Sequence, residues 1–449
     1  MTAPTTLPVV VDRAAPEPWG VQLSRQVREL VVSGRLRRGD RLPSTRALAR
    51  ELGVARSVTE QAYDQLVAEG WLEARHGSGT FVASDDAGRV PSPTRPAPRP
   101  AHGLVLMSTG TPWIDARHQA GWRRAWRDVA AATPPRGYAD PLGMPELRDA
   151  LAERLARTRG LVVAADEIVV TAGTTAGLRH LLAVAPPGPV AVEDPGYRAA
   201  VATAEELGRR VVDAPVGAWE RGGVDLAGVA AAYVTPAHQH PLGRVMPASE
   251  RLALLASARA SGTVVAEDDY DSELRYDVAP VPALAALDRR TVAYLGTASK
   301  SAPPTLRIGW LVPPPDLFDA VAKHTATVHG AASWPAQRAL LTLLRDGWLD
   351  KVVRTARRTY ADRAPRVAAV LSPYAEPAAA AAGMYSTWLM PEERAVRARD
   401  AARRAGFEVP LLSDHCRTAR LTGLVVGFGS VDDAELDRAL AALAHGLAG

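Results

Sequence analysis

At 449 residues the chain has room for more than one domain, and 47% hydrophobic with 23% charged residues is the composition of a soluble globular protein. A single cysteine, Cys416, excludes an intrachain disulfide; no signal peptide opens the chain and no apolar run reaches membrane length, so the cytoplasm is expected and a membrane is not. The net charge is +4, and residues 1–103 hold 14 arginines against 11 acids, a weak pointer to nucleic acid.

The first element in chain order is a helix in LSRQVRELVVSGRL, where Leu23, Val27, Leu30 and Val31 recur at helical spacing and Gly34 stops the pattern. A second helix follows in LPSTRALARELGV, capped by Ser44 and Thr45 and broken at Gly53. A third, in ARSVTEQAYDQLVAEGW, takes Ser57 as cap and Val58, Ala62, Leu66 and Val67 as inward stripe. Two short helices joined through a glycine turn make the helix-turn-helix pattern. Arg56, Ser57 and Thr59 then face outward, as polar groups suited to phosphates and base edges. Two β-prone runs flank HGSG in GWLEARHGSGTFVA, a hairpin whose tip carries Arg75 and His76. By pattern alone a small helical dimerisation or scaffold module remains open. The whole stretch resembles the GntR-type winged helix-turn-helix of bacterial transcription regulators. The resemblance places the domain at 13–83 and implies DNA contacts at Arg46, Arg56, Ser57, Thr59 and Gly77.

Residues 84–103 are rich in proline and nearly free of aliphatic residues, the composition of a semi-rigid linker. Beyond it, over 104–449, helical patterns alternate with the apolar runs EIVVTAG, PVAVEDPGY, AAAYVTP, GTVVAEDDYD and TVAYLGTASK. Such alternation predicts an α/β domain with a mainly parallel sheet and chemistry at the carboxyl ends of its strands. In VVTAGTTAGLRHLLAV a strand enters a helix through Gly173, Thr174 and Thr175, an anion-binding turn that packing alone also produces. Three acids follow a strand in VVAEDDYDSELRY. Asp268 there could face a pyridinium nitrogen and Tyr270 a ring hydroxyl, although adjacent acids are commonly just solvated.

Only three lysines, Lys300, Lys323 and Lys351, stand among 50 arginines. Lys300 ends a strand within GTASKSAPPTLRIGW. A desolvated lysine loses its proton and condenses with an aldehyde, whereas a guanidinium stays charged. Thr297 and Arg307 flank it as phosphate ligands, although most lysines are structural.

Together with YADPLGMPELRDAL, EDPGY and YVTPAHQHPLGRVMP, these segments resemble fold-type I aminotransferases. Behind a GntR-type head they resemble the MocR/GabR regulators over nearly the whole chain. The resemblance implies a large mainly parallel sheet domain, a small C-terminal α/β lobe and pyridoxal 5′-phosphate as cofactor. It makes Lys300 the Schiff-base lysine, Asp268 the pyridine partner and Tyr270 the hydroxyl partner. Thr174, Thr175, Thr297 and Arg307 would hold the phosphate, and Tyr197 would lie near the ring. His240 departs from the family, which carries an aromatic residue there, or asparagine in true aminotransferases. Candidates for an effector carboxylate are Arg198, Arg417 and Arg420. The expected protein is a homodimeric regulator that binds double-stranded operator DNA and senses an amine, an amino acid or a vitamin B6 vitamer, with no metal. The alternative is a working aminotransferase with an accessory head.

Overall fold

The computed structural model describes residues 7–75, 78–83, 103–219, 224–277 and 281–448. They fall into two compact units that divide between Pro100 and Ala101. Apart from Gly103, the stretch expected as linker lies outside the described residues.

The first unit holds α1 (Trp19–Val32), α2 (Thr45–Leu52), α3 (Arg56–Ala68) and a hairpin of β1 (Leu72–Arg75) and β2 (Gly79–Val82). Leu23, Val27, Leu30 and Val31 are all buried, as their spacing requires. Ser44 Oγ accepts the Ala47 amide at 3.2 Å and caps α2, which Gly53 ends at φ 62°. The cap expected at Ser57 is not made, because α3 begins at Arg56 with Ala55 before it and no side-chain cap. The helix is also rotated from its expected stripe: Thr59, Ala62, Tyr63 and Leu66 turn inward, and Val67 is 37% exposed. Two polar bonds account for the rotation. Thr59 Oγ1 donates to Thr45 O at 2.9 Å, and Tyr63 Oη to Pro43 O at 3.0 Å, so α3 is fixed to the start of α2 by hydroxyls that an apolar pattern does not weigh. In the antiparallel hairpin Leu72 faces Val82, both buried in the same core.

The second unit opens with β3 (Val105–Leu106), α4 (Gln119–Ala131) and α5 (Pro145–Arg159). Then come β4 (Val169–Thr171), α6 (Thr174–Val184), β5 (Val190–Asp194), α7 (Arg198–Glu206), β6 (Val211–Pro215), β7 (Ala231–Val234), α8 (Ala248–Ser261), β8 (Val264–Asp269), β9 (Val292–Thr297) and β10 (Gly309–Val312). After α9 (Pro315–Thr327), α10 (Trp334–Arg345) and the long α11 (Trp348–Leu371), the chain ends in β11 (Glu376–Pro377), β12 (Tyr385–Leu389), α12 (Glu392–Arg404), β13 (Phe407–Glu408), β14 (Gly423–Gly427) and α13 (Asp433–Ala448).

Seven strands form one sheet in the order β4-β10-β9-β8-β7-β5-β6. Only β10 runs against its neighbours β4 and β9. Alternate residues of the strands enter opposite cores. Val170, Ala232 and Val265 pack with Leu151 of α5 and Leu254 of α8, while Val169, Tyr233 and Ala266 pack with Leu181 of α6 and Val201 of α7. Helices therefore cover both faces, and the polar ends of the strands are the sheet's only outlet for chemistry. A smaller lobe carries the antiparallel sheet β11-β12-β14, and β13 pairs in parallel with β3, so the first strand of this unit is built into its last lobe. Among the described residues no helix is long and apolar enough to cross a membrane.

Candidate functional site

A cavity of about 240 Å³ lies at the carboxyl ends of these strands. It is lined by Gly173, Thr174 and Thr175 after β4, Tyr197 after β5, Tyr233 and Thr235 at the end of β7, and His240 beyond it. Asp268 and Tyr270 come from the end of β8, Thr297, Ser299 and Lys300 from the end of β9, and Arg307 from just before β10. All eight residues expected to hold the cofactor thus reach one cavity.

The arrangement at β4 follows from backbone geometry. Gly173 caps α6 at φ 105°, and a Cβ there would stand 3.3 Å from the Arg307 guanidinium. Glycine is needed for both reasons. The amides of the first turn of α6 have no intrahelical acceptor and lie beside a fixed cation, which is a site for a dianion. Arg307 itself sits at φ 53°, a left-handed conformation unusual for a residue with a side chain. Thr297 Oγ1 is bonded to Ser299 Oγ at 2.9 Å and accepts the Ser299 amide at 3.1 Å, which fixes two hydroxyls at the same end.

The three acids of β8 are not solvated; the whole strand is buried, and each acid has a separate fate. Glu267 accepts the amides of Leu284 and Ala285 at 2.7 and 2.8 Å. Asp269 takes the Arg159 guanidinium and, at 2.6 Å, the Tyr294 hydroxyl. Asp268 alone lines the cavity. Tyr233 Oη donates to its Oδ2 at 2.5 Å, while Oδ1 is buried without a hydrogen-bond partner among the described residues. Burial, joined by the charge of Asp269, pushes the Asp268 carboxyl up to about 7, against the Tyr233 bond and the charge of Lys300, which favour the anion.

Lys300 Nζ donates to Gly110 O at 2.8 Å, and burial lowers its pKa against the pull of Asp271 and Asp268. A lowered pKa raises the share of neutral amine, the nucleophilic form. His240 is buried, and its pKa lies well below the usual value because burial and the nearby His415 and Lys300 disfavour the cation. It therefore presents a neutral imidazole where a carboxamide or aromatic ring was the family expectation. Tyr197 stacks on Tyr233 with ring centroids 6.4 Å apart. Tyr270 Oη donates to His238 O at 2.9 Å and lies 2.8 Å from Tyr385 Oη.

The three arginines considered for an effector carboxylate do not line this cavity. Arg417 is bound to Asp213 at 2.7 Å and Glu205 at 3.1 Å. Its backbone amide, with those of Thr418 and Ala419, is drawn to the Asp194 carboxylate at the end of β5, which holds this loop against the sheet. Arg198 and Arg420 are exposed. The strand after them, β14, is buried at every position and carries no cation. Residues that sequence reasoning missed are Tyr233, Thr235, Ser299, Pro304, Thr109 and Gly110. Ser299, a hydroxyl between Thr297 and Lys300, was legible; Gly110 acts through its carbonyl and leaves no side-chain signal.

In the first unit Arg46, Arg56 and Ser57 are exposed, and Arg56 pairs with Glu60 at 2.6 Å. Thr59, expected to face outward, is instead fully buried, because its hydroxyl is spent on Thr45 O and Arg56 O. Arg75 lies over the Phe81 ring at 4.6 Å, and Gly77 and His76 lie outside the described residues.

Compared with known proteins, residues 20–82 match the family described as bacterial regulatory proteins, gntR family, and residues 103–443 match aminotransferase class I and II. The HTH-type pyridoxine biosynthesis transcriptional regulator PdxR of Corynebacterium glutamicum is 35% identical, with 97% of each chain covered. The probable rhizopine catabolism regulatory protein MocR of Rhizobium meliloti is 34% identical over 79% of this chain and 77% of that one. Among solved structures, an archaeal alanine:glyoxylate aminotransferase superposes with a TM-score of 0.69 at 25% identity, covering 76% of this chain and 90% of its own. With a gntR-family head, an aminotransferase-like body and relatives that match both, the chain belongs to the MocR-type HTH transcription regulators.

Proposed function

We propose that this regulator binds pyridoxal 5′-phosphate and that the vitamer is its effector, so that operator binding in the cytoplasm reports the supply of vitamin B6. The observation that carries the reading is the charge inventory of the cavity. Lys300 and Arg307 are the only lysine or arginine side chains lining it among the described residues. One cation for a phosphate and one amine for an aldehyde match the vitamer, and no second guanidinium is left for an amino-acid carboxylate. The full-length likeness to a relative named for pyridoxine biosynthesis supports the same choice.

The residues present fit the cofactor. Asp268 Oδ1, buried and unpartnered, suits a protonated ring nitrogen, and the Gly173 backbone leaves the room that a side chain would fill beside Arg307. Pyridoxal 5′-phosphate, when bound, supplies an electrophilic aldehyde carbon. Lys300 would provide the amine for it, Arg307 with Thr174, Thr175, Thr297 and the start of α6 would hold the phosphate, and the Tyr233 bond favours the ionised form of Asp268. Tyr197 would lie near the ring and Tyr270 would face its hydroxyl, and His240 would offer a neutral donor or acceptor to its substituents. The homodimer expected for the fold would place two heads on paired half-sites.

The test is fluorescence anisotropy of the full-length protein on its own upstream DNA, with pyridoxal 5′-phosphate or a panel of amines and amino acids added. A tenfold or larger change in Kd with the vitamer alone, about 1.4 kcal/mol of coupling, is expected. The change should vanish in Lys300→Ala. A response to an amino acid and none to the vitamer would sink the proposal. The aminotransferase structural neighbours favour a second reading, turnover, which steady product formation from an amino-donor panel supplied with a 2-oxoacid as amino acceptor would establish.

A further inference from the structure

Next to the cavity, but outside its lining, lies a second buried polar cluster. His238 Nδ1 is 2.7 Å from Asp271 Oδ2, and each side chain is 1% exposed. With the Nδ1 proton directed to the carboxylate, His238 Nε2 and Asp271 Oδ1 remain buried without partners among the described residues. The His238 ring lies over Tyr270 at 6.2 Å and beside Tyr385 at 4.9 Å. Its backbone carbonyl accepts the Tyr270 hydroxyl. Room for the pair is made by Gly383, at φ 67°, where a Cβ would stand 3.0 Å from both Asp271 Oδ2 and His238 Cε1.

A buried acid and imidazole with an orphaned atom each are an unfavourable way to fill a core that apolar side chains could fill. Their place explains them. A small cavity of about 30 Å³, separate from the cofactor cavity, is lined by Asp271, Tyr270, Thr297 and Lys300 together, so Asp271 and the lysine face one space. Of the carboxylates that share a cavity with Lys300, Asp268 is the one suited to the ring nitrogen, and Asp269 and Glu273 are held by Arg159 and Arg154, which leaves Asp271 as the counter-charge of the amine.

We propose that Asp271 and His238 are a positioning pair for Lys300: His238 orients the Asp271 carboxylate toward the lysine and, through its own carbonyl, holds the Tyr270 hydroxyl, and neither residue touches the cofactor. The effect of burial on Lys300 is opposed first by Asp271 and then by Asp268, in keeping with that geometry. The other titratable groups around the lysine are Tyr270, His240 and Arg307 in the cofactor cavity and Arg154, Arg159, Asp269, Glu273 and Tyr294 in the small one, and those around His238 are Tyr270, Tyr385 and His240.

This inference rests on the cofactor reading for the assignment of Asp268 and for its second readout. The first uses the full-length protein without cofactor. Reductive methylation with labelled formaldehyde gives carbon signals from the three lysines and the α-amine, and Lys300→Arg identifies the one that matters. In Asp271→Asn the titration midpoint of the Lys300 signal should fall by about 1 pH unit, since a nearby anion favours the protonated amine. His238→Leu, which strips the carboxylate of its donor, should lower it in the same direction. His238→Asn, whose amide can replace Nδ1–H, should restore it toward the wild-type value. An unmoved midpoint in Asp271→Asn overturns the proposal, and if that variant does not fold, an unmoved midpoint in His238→Leu does so. The second readout is the visible absorbance of protein loaded with pyridoxal 5′-phosphate, whose pH midpoint should move with the same sign. If the wild type takes up no vitamer while the carbon signal still shifts, the cofactor reading fails and the positioning pair stands. An absorbance midpoint unchanged in loaded Asp271→Asn overturns the pair and leaves the cofactor reading intact.

Discussion

Replacing Tyr233 by phenylalanine removes one hydroxyl from a side chain that makes no other hydrogen bond among the described residues, and it tests the electrostatic account of the cavity directly. Tyr233 Oη donates to Asp268 Oδ2 at 2.5 Å, and this bond is the strongest influence holding the carboxyl down against burial. A hydrogen bond to a charged group contributes about 1.5–3 kcal/mol, and one pKa unit corresponds to about 1.4 kcal/mol, so the Asp268 carboxyl should rise from about 7 by about one to two units. At neutral pH the ionised fraction then drops from near half to about a tenth or less. Because the ring nitrogen is suited to the anion, vitamer affinity should weaken by about 5- to 50-fold at pH 7 and recover as the pH approaches about 9. Absorbance titration of apoprotein with pyridoxal 5′-phosphate at several pH values measures both effects. An affinity equal to wild type at pH 7, or a loss that stays constant with pH, would refute the role given to Tyr233 and with it the ionised state given to Asp268.

Gly173→Ala should weaken phosphate binding without unfolding the body, since φ 105° costs about 1–3 kcal/mol for any side chain and the new Cβ crowds Arg307; competition by inorganic phosphate checks it. Thr59→Val should lower the stability of the head by about 1 kcal/mol in thermal unfolding, whereas Thr59→Ser should leave operator affinity unchanged, because the residue is buried. Arg46→Ala, at an exposed head position, should reduce the slope of log affinity against log salt by about 1. His240 and His415 have folded-state pKa values below that of the unfolded chain, so they favour folding above about pH 6.5 and oppose it progressively as pH falls below. His240→Phe should therefore lose less thermal stability than wild type between about pH 7.5 and about pH 5.5.

Much of this site was legible because strand ends are short and chemically explicit. Lys300, Asp268, Thr297 and Arg307 each stand beside an apolar run whose burial on both sides of a sheet fixes where it must end. What was not legible has physical causes of three kinds. Tyr233 reads as one more apolar strand residue, and its importance depends on which carboxylate the neighbouring strand brings alongside. Glu267 and Asp269 read like Asp268, and only tertiary partners, the Leu284 amide and Arg159 among them, separate structural acids from the available one. On α3, hydroxyl bonds outweighed the apolar stripe and took Thr59 out of reach of DNA. Arg417 was misleading for a related reason: its nearness in sequence to β14 says nothing of Asp213 and Glu205, more than 200 positions earlier, which hold it.

The bond from Lys300 to Gly110 O ties the lysine to the first segment of the second unit. One nitrogen cannot serve that carbonyl and a ligand's carbon in the same way, so committing the lysine to the vitamer gives up a latch on that segment. By reciprocity the latch weakens vitamer binding by whatever free energy it contributes, at most about 1.5–3 kcal/mol for a charged donor. If the vitamer binds as proposed, every gain in the hold of Lys300 on Gly110 O is a loss of the same size in vitamer affinity.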